Sequence, residues 1–448
     1  MRLRLVSVVL VVLIGSFAQS ANPAGRVSPE RGRDIMFYHS LNPANWSLSA
    51  YENVWKQWGV SEKPADYQQA FLERYGLHSA PFENKGKPMG LIEATRFLGK
   101  GITNNCLLCH AGTVAGQTII GLGNASLDLQ GLFEDLTRAD GLDLRFPFQF
   151  SYVRGTIDPI NPLAFLMQFR DTELRLHKPH EFHYTANVCS DPPAWWLLKK
   201  KKTRDWTGPM DVHSTRIDMV NLLTPLNSGG YIKSQEGAFA DIEAYLRTIE
   251  APKYPFAVDE KLAARGRQLF ADTCARCHGE GGPGGKYPNK IVSLETIGTD
   301  RTLAEGNDEE LLTFLNQSWF GQEPGPDGKP LQFTAPYGYQ APPLDGVWAT
   351  APYFHNGSVP TIYHVLNSKA RPKVYTRSYR TGREDYDSVK LGWKITVLET
   401  PTDSKKSGFE ARKIYDTTQP GRGNSGHTFG DKFTDDERTA VIEYLKTL

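Results

Sequence analysis

The chain lacks both an excess of charge and, after Ile14, a long apolar run. Its 448 residues include 51 Lys and Arg against 50 Asp and Glu, a formal net charge of +1. Such a balance does not give the basic surface that nucleic-acid-binding proteins use. No later stretch reaches the roughly 20 apolar residues that a membrane-spanning helix needs. We therefore expect no nucleic-acid partner and no membrane span in the mature chain.

The N-terminal segment has the pattern of an export signal. Arg2 and Arg4 precede an apolar run from Leu5 to Ile14, and small residues follow at Ala18 and Ser20. A basic start, a short apolar core and small residues before a cut are typical of a signal peptide. The pattern predicts cleavage after residue 20 and a periplasmic or secreted protein, with an uncleaved anchor as the alternative.

Cysteine is scarce, and four of the five cysteines fall into two C-x-x-C-H motifs, Cys106–His110 and Cys274–His278. In this signature the two thiols join a haem covalently and the histidine becomes the proximal iron ligand. A zinc half-site or a disulfide also uses C-x-x-C, but neither needs the histidine. Cys189 is left over as a buried free thiol. The sequence thus predicts two covalently bound haems c, the first on Cys106 and Cys109 with His110, the second on Cys274 and Cys277 with His278.

Methionine is absent after Met219. Haem c iron usually takes Met or His as its sixth ligand, so the second haem has no local Met to use. His427 lies in the glycine-rich loop Gly421–Gly430, just before the last helix, where cytochromes c bring a ligand to the iron. We predict that His427 is the sixth ligand of haem 2, with His355, or an open position or another ligand, as the alternatives.

The first motif also lacks a neighbouring ligand. Residues 111–176 contain no histidine, and their one methionine is Met167. This absence predicts an exchangeable sixth position on haem 1, where peroxide, dioxygen or an organic substrate would react. Aromatic residues are expected to form apolar walls there: Phe146, Phe148, Phe150, Trp195 and Trp196. A ligand hidden elsewhere in the first half is the alternative: His177, His180, His183, His213 or a Met.

Two similar segments indicate an internal duplication that divides the chain. Ile242–Ile249 resembles Ile442–Leu448, and each segment is expected to be the helix that closes a haem module. Ala251–Pro255 has the composition of a linker. The expected fold is mainly α, with two cytochrome c-like haem domains in tandem at residues 21–250 and 257–448, the first carrying long loop insertions.

The second half follows the simple cytochrome c plan. A helix is predicted over residues 259–270, where Gly266 would let the closing helix approach. Thr434 and Glu437 form a capping-box pattern that opens this closing helix. The run Lys199–Lys202 is either a solvated loop or a docking patch for an acidic redox partner.

The string Ala351–Thr361, APYFHNGSVPT, adds to these motifs. Together they resemble the bacterial dihaem cytochrome c peroxidase superfamily, which includes the methylamine-utilisation dihaem enzyme and the rubber oxygenases. The resemblance covers roughly residues 91–448. It implies that His355 lines the region between the haems. It also implies a calcium ion at the domain interface, bound partly through the backbone carbonyls of Thr350 and Pro352.

Two departures from the peroxidases favour the rubber-oxygenase-like branch. The second haem has no methionine, and no histidine follows the first motif closely. In that branch the second haem has two histidine ligands, and Trp195 or Trp196 would correspond to its tryptophan between the haems. The chain is considerably shorter than those enzymes, so their substrate is not implied.

These patterns predict a periplasmic dihaem c-type cytochrome that acts as a peroxidase- or oxygenase-like enzyme. Haem 1 would activate peroxide or dioxygen, and haem 2 would exchange electrons with a small redox protein. The alternatives are a dihaem electron carrier without catalysis and a haem-based sensor. The candidate catalytic residues are His110, His355, Trp195 and Trp196.

Overall fold

The computed structural model describes residues 26–96, 99–282, 284–306, 308–399 and 408–448. The signal peptide predicted at residues 1–20 lies outside the described residues. Within the described ranges, no helix is long and apolar enough to cross a membrane.

The described part of the chain alternates helices and short strands with long loops, at 34 % helix and 13 % strand. This mixed content is less helical than the mainly α fold that the sequence led us to expect. The helices are α1 Pro29–Tyr38, α2 Leu48–Asn53, α3 Tyr67–Tyr75, α4 Leu129–Ala139, α5 Asn161–Met167, α6 Gly229–Ser234, α7 Glu236–Leu246, α8 Glu260–Thr273, α9 Ala275–His278, α10 Leu294–Ile297, α11 Thr302–Glu305, α12 Glu309–Gln317, α13 Ile362–Leu366 and α14 Asp435–Leu445.

The strands form small antiparallel sheets that brace the loops. The orders are β1-β3-β2, β4-β5, β6-β7, β9-β10 and β11-β8-β12. The hairpin of β4 and β5 follows the first C-x-x-C-H motif directly, with Ala111 opposite Ile120. The strands are β1 Trp46–Ser47, β2 Leu91–Arg96, β3 Gly99–Asn104, β4 Ala111–Val114, β5 Gln117–Ile120, β6 Ile291–Ser293, β7 Gly338–Gln340, β8 Val374–Thr376, β9 Tyr386–Asp387, β10 Gly392–Trp393, β11 Thr396–Val397 and β12 Ile414–Asp416.

Each half of the molecule contains two helices that cross at a glycine. A Cβ atom on Gly32 in α1 would lie 1.9 Å from the carbonyl oxygen of Asp241 in α7. A Cβ atom on Gly266 in α8 would lie 1.9 Å from that of Ala440 in α14. The predicted close approach at Gly266 is therefore confirmed, and so is the capping box of Thr434 at the start of α14. The equivalent crossing of α1 was not foreseen, because α1 lies far before its haem motif.

The two halves of the chain share one apolar core. Trp196 of the first half packs with Phe270 and Trp348 of the second half. A buried ion pair also joins the halves, with Arg412 Nε 2.7 Å from a carboxylate oxygen of Asp128. The segment expected to be a linker, residues 251–255, packs on this core, and the carbonyl of Pro252 accepts a hydrogen bond from the Trp348 indole.

Replacing Gly266 with alanine should destabilise the protein, because the new methyl group would overlap the Ala440 carbonyl. Overpacking of this kind costs about 1–3 kcal/mol or more of unfolding free energy. At Gly237 in α7 an added Cβ would meet no atom within 4 Å, so Gly237→Ala is the matched control. Helix propensity predicts that this control gains up to about 1 kcal/mol. Urea unfolding followed by circular dichroism measures both variants, and equal stability of the two would contradict the crossing.

Candidate haem and redox site

Both C-x-x-C-H motifs fold into a single helical turn. The amide of His110 donates to the carbonyl of Cys106 at 3.0 Å, and that of His278 donates to the carbonyl of Cys274 at 3.1 Å. The first turn is capped by the side chain of Asn105, whereas the second continues from the end of α8. A turn of this length brings two cysteines and the histidine that follows them to one side of the backbone.

A proline carbonyl holds each motif histidine. His110 Nδ1 lies 3.2 Å from the carbonyl oxygen of Pro193, and His278 Nδ1 lies 2.8 Å from that of Pro342. A carbonyl only accepts, so Nδ1 carries the proton and Nε2 keeps its lone pair for a metal. Burial lowers the pKa of both imidazoles, that of His110 to about 4, so both are neutral near pH 7. The chain has only two Pro-Pro dipeptides, and each supplies one of these carbonyls.

Three of the motif cysteines are protonated thiols near neutral pH. Burial raises the pKa of the Cys106 and Cys109 thiols to about 12 and that of Cys274 to about 11. A zinc site would need thiolates and further ligands. No group of three or more His, Cys, Asp and Glu residues in the described ranges is arranged to hold a metal ion. The thiols therefore suit the thioether bonds of a haem better than a zinc half-site.

A cavity of ≈ 250 Å³ runs between the two halves, and His110, His278 and His427 all line it. A second cavity of ≈ 100 Å³ shares His278 and His427 and adds Cys277 and His355. The two motifs thus open on connected apolar space, as two haem groups require.

His427 faces His278 across this space. Their ring centroids lie 6.1 Å apart, with an angle of 60° between the ring planes. Two imidazoles that each bind one metal ion at about 2 Å would have their centroids about 6 Å apart. Burial lowers the pKa of His427 to about 3, which keeps the ring neutral, and its Nδ1 atom is buried without a partner. The pair therefore fits a bis-histidine iron, which stays a prediction.

The alternative ligand, His355, makes a different contact. Its ring stacks on Tyr339 with a centroid distance of 3.8 Å and an angle of 11°. The residue is 4 % exposed, and burial lowers its pKa to about 3. His355 therefore borders the smaller cavity as a neutral ring, and the geometry favours His427 as the ligand.

Arg371 clamps the loop that carries His427. Its guanidinium donates to the carbonyls of Asn424 and Gly426, each at 2.7 Å, and to that of His427 at 3.1 Å. The amide of His427 donates to the carbonyl of Ile297 at 2.7 Å. Sequence reasoning missed this role of Arg371, because the two partners lie 56 residues apart.

His110 has no such facing ligand. Trp195 stacks on its ring, with centroids 4.7 Å apart and an angle of 18°. Among the described residues that line the large cavity there is no methionine, and its histidines are His110, His278 and His427. The four other candidate histidines of the first half all lie away from this lining: His177, His180, His183 and His213.

Charged groups also line the large cavity. Arg204 forms ion pairs with Asp218 at 3.0 Å and with Glu243 at 2.8 Å. Burial raises the pKa of Asp218 to about 6. Lys201 donates to the carbonyl of Asp205 at 2.9 Å, and burial lowers its pKa to about 8. Both groups can therefore exchange protons near neutral pH.

The three phenylalanines expected as apolar walls lie elsewhere. Phe146, Phe148 and Phe150 pack on one another and do not line the large cavity. Trp196 is 1 % exposed, and its indole donates to the carbonyl of Asp345 at 2.8 Å. Of the two tryptophans expected to take part in catalysis, Trp195 borders the cavity and Trp196 lies in the core. Sequence reasoning did not anticipate the charged lining, because Arg204 and Asp218 carry no recognisable motif.

The lysine run divides between several roles. Lys200 Nζ lies 2.7 Å from a carboxylate oxygen of Asp345 and joins the two halves. Lys199 pairs with Glu250, and Lys201 lines the large cavity. The lysine run as a whole is therefore neither a solvated loop nor an open docking patch.

Three residues that carry oxygen donors line the large cavity in the region where the calcium ion was predicted. Thr350, Pro352 and Asp191 line the same cavity. The Asp191 side chain has no hydrogen-bond or ion-pair partner among the described residues, and burial raises its pKa well above the usual range. Calcium prefers carboxylate and carbonyl oxygens, and a cation there would favour the ionised carboxylate. The donor set fits calcium, which remains a prediction, and Asp191 is a candidate ligand that sequence reasoning missed.

Replacing His427 with alanine should convert one haem from low spin to high spin, because the second imidazole of the 6.1 Å pair is lost. His355→Ala is the control, since that ring stacks on Tyr339, and it should leave the spectrum of haem 2 low-spin. The visible absorption spectrum of each oxidised variant reports the spin state of its haems. A low-spin His427→Ala protein together with a perturbed His355→Ala protein would reverse the assignment.

Two segments match models of known protein families. Residues 338–376 match a family described as RoxA-like, cytochrome c-like. Residues 261–317 match the family of cytochrome C oxidase, cbb3-type, subunit III. The first segment contains His355 and the second contains the second haem motif.

Two curated proteins of Sinorhizobium fredii are similar to the chain. The uncharacterized protein y4iJ is 30 % identical over 262 residues, which cover 45 % of this chain and 41 % of that protein. The uncharacterized protein y4iM is 29 % identical over 295 residues, which cover 58 % of this chain and 65 % of that protein. The chain thus spans less than two thirds of the length of either relative.

Two solved structures are distantly similar. Hydrazine synthase of Kuenenia stuttgartiensis has a TM-score of 0.27 and 15 % identity, with 68 % of this chain and 89 % of that chain covered. A MauG-like protein associated with microbial copper homeostasis has a TM-score of 0.30 and 15 % identity, with 68 % and 95 % covered. At these scores the likeness carries no information about function. The family matches show cytochrome c-like sequence in two segments of the second half of the chain, and such domains imply covalently bound haem c.

Proposed function

We propose that the chain is a periplasmic or secreted dihaem c-type cytochrome that acts as a redox enzyme. Residues 21–250 and 257–448 are its two cytochrome c-like domains in tandem, each with one C-x-x-C-H motif. When bound, haem supplies electron transfer on the His278 side and activation of peroxide or dioxygen on the His110 side. The electron partner is a small redox protein.

The observation that carries this proposal is the difference between the two motif histidines. His278 faces His427 with ring centroids 6.1 Å apart. His110 faces no second histidine and no methionine among the described residues that line the cavity. An iron with one strong protein ligand can bind an exogenous molecule, whereas an iron with two is suited to electron transfer.

Two residues of the cavity that His110 lines suit a reaction that consumes protons. Reduction of peroxide to water takes up two electrons and two protons. Lys201 and Asp218 line the cavity, and their pKa values of about 8 and about 6 let them hold and release protons near neutral pH. Trp195 covers the His110 ring with a flat apolar surface and keeps water from that face.

The division into two domains is supported by the paired glycine crossings. Each half uses one early helix and one closing helix that meet where a Cβ atom would lie 1.9 Å from a carbonyl oxygen. The shared core and the Arg412–Asp128 ion pair hold the halves together, so the two sites keep a fixed separation for electron transfer.

Carbon monoxide binding tests this function. A purified chain should contain two covalent haems, and its reduced form should bind one carbon monoxide per chain, because only the His110 side has a free position. Alkaline pyridine spectra count the haems, and a carbon monoxide titration counts the free sites. Lys201→Met should keep this stoichiometry and slow peroxide turnover, since it removes a proton donor from the cavity lining.

Binding of no carbon monoxide in any redox state would contradict the enzyme and leave a dihaem electron carrier. Binding of two per chain would contradict the assignment of His427 instead.

A further inference from the structure

A third, much smaller cavity lies where the two halves meet, and no residue of either C-x-x-C-H motif lines it. Its volume is ≈ 10 Å³, about the space that one water-sized particle occupies. Arg154 and Thr156 line it from the first half, and Gly357, Arg377 and Trp393 line it from the second half. The space is too small for a tetrahedral oxyanion or an organic ligand.

The cavity lies between two arginines that have no carboxylate partner, the buried Arg154 and the half-buried Arg377. Arg154 is 4 % exposed, and its guanidinium donates to the carbonyls of Ser126 and Glu73. Arg377 donates to the carbonyl of Ala125 through Nη2, while its Nη1 is buried without a hydrogen-bond partner. Neither arginine forms an ion pair among the described residues.

Both guanidinium groups also lie over one aromatic ring. The ring of Tyr379 is 4.8 Å from the Arg154 guanidinium carbon and 4.4 Å from that of Arg377. Two like charges therefore face one neutral ring from nearby positions. Burial lowers the pKa of both arginines, that of Arg377 to about 10, and both remain charged at pH 7.

The surrounding acidic groups do not neutralise this pair. Asp128, the acidic group that acts most strongly on Arg154, is already held by Arg412 at 2.7 Å and 3.0 Å. Glu410 is mostly exposed and pairs with Lys413.

On the Arg377 side, the strongest acidic neighbour is Asp385. Its carboxylate accepts from the Ser378 hydroxyl and from the amide of Gly382. The tyrosines that face Arg377 stay neutral, because burial raises the pKa of Tyr375 and Tyr379. The site therefore keeps an excess of positive charge, and a buried charge without a partner is costly.

We propose that this cavity binds one small monovalent anion of the halide class, such as chloride, between Arg154 and Arg377. The anion accepts from the free Nη1 of Arg377 and neutralises the pair. Because its ligands come from both halves, it stabilises their interface. This proposal is independent of the haem chemistry, since no residue of either C-x-x-C-H motif borders the cavity.

A bromide-containing crystal of the haem-loaded protein locates the anion. We expect an anomalous bromide peak in the cavity, within hydrogen-bonding distance of Arg377 Nη1. A water molecule there without an anomalous signal would overturn the proposal. A haem propionate oxygen in contact with Arg377 would overturn it as well, because the cofactor would then supply the charge.

A solution measurement tests the same site. Replacing gluconate with chloride at constant ionic strength should raise the thermal unfolding midpoint by a few degrees, because the anion binds the folded state only. Arg377→Gln should lose most of this shift. Arg170→Gln is the control, since Arg170 is buried but donates to the carbonyls of Leu174, Thr224 and Asn227 far from this cavity. Equal chloride shifts in the unaltered protein and in both variants would contradict the assignment. If Arg377→Gln does not fold, the bromide crystal of the unaltered protein decides.

Discussion

The hydrogen bond from each motif histidine to a proline carbonyl determines how the rest of the site is arranged. It places the proton on Nδ1 and leaves Nε2 of His110 and His278 with a lone pair for a metal, and both histidines line the same cavity. The two carbonyls belong to the chain's two Pro-Pro segments. The same kind of hydrogen bond thus orients the histidine of both sites, and both sites lie at one interface.

The two sites differ in the segment that faces the motif histidine. A clamped glycine-rich loop brings His427 to His278, and Arg371 holds that loop through three carbonyls. On the other side, His110 meets Trp195 and a lining that includes Lys201. One site is therefore closed by a second imidazole, while the other borders groups that can hold and release protons. A redox enzyme needs both kinds of site, one for electron transfer and one for the reaction.

Local patterns in the sequence predicted the parts of this structure that depend on neighbouring residues. The C-x-x-C-H turns, the capping box at Thr434 and the close approach at Gly266 all follow from spacing within one segment. The placement of His427 beside His278 was anticipated by elimination, since the second half has no methionine.

Contacts between distant segments could not be predicted in this way. Pro193 lies 83 residues from His110, and Arg371 lies 56 residues from His427. Asp191 and the cavity arginine Arg377 carry no motif, because a buried charge is recognised only once its surroundings are known. The prediction was wrong for Phe146, Phe148 and Phe150 for the same reason, since these residues pack on one another instead, whereas Trp195 does line the cavity.

Electron paramagnetic resonance of the fully oxidised protein tests the central claim, that the two motif histidines serve different kinds of iron site. A ferric iron between two imidazoles is low-spin, whereas one with a single imidazole and a water is high-spin. The His278–His427 pair and the unpaired His110 predict one low-spin and one high-spin signal of equal intensity. Two low-spin signals in the unliganded protein would contradict the account.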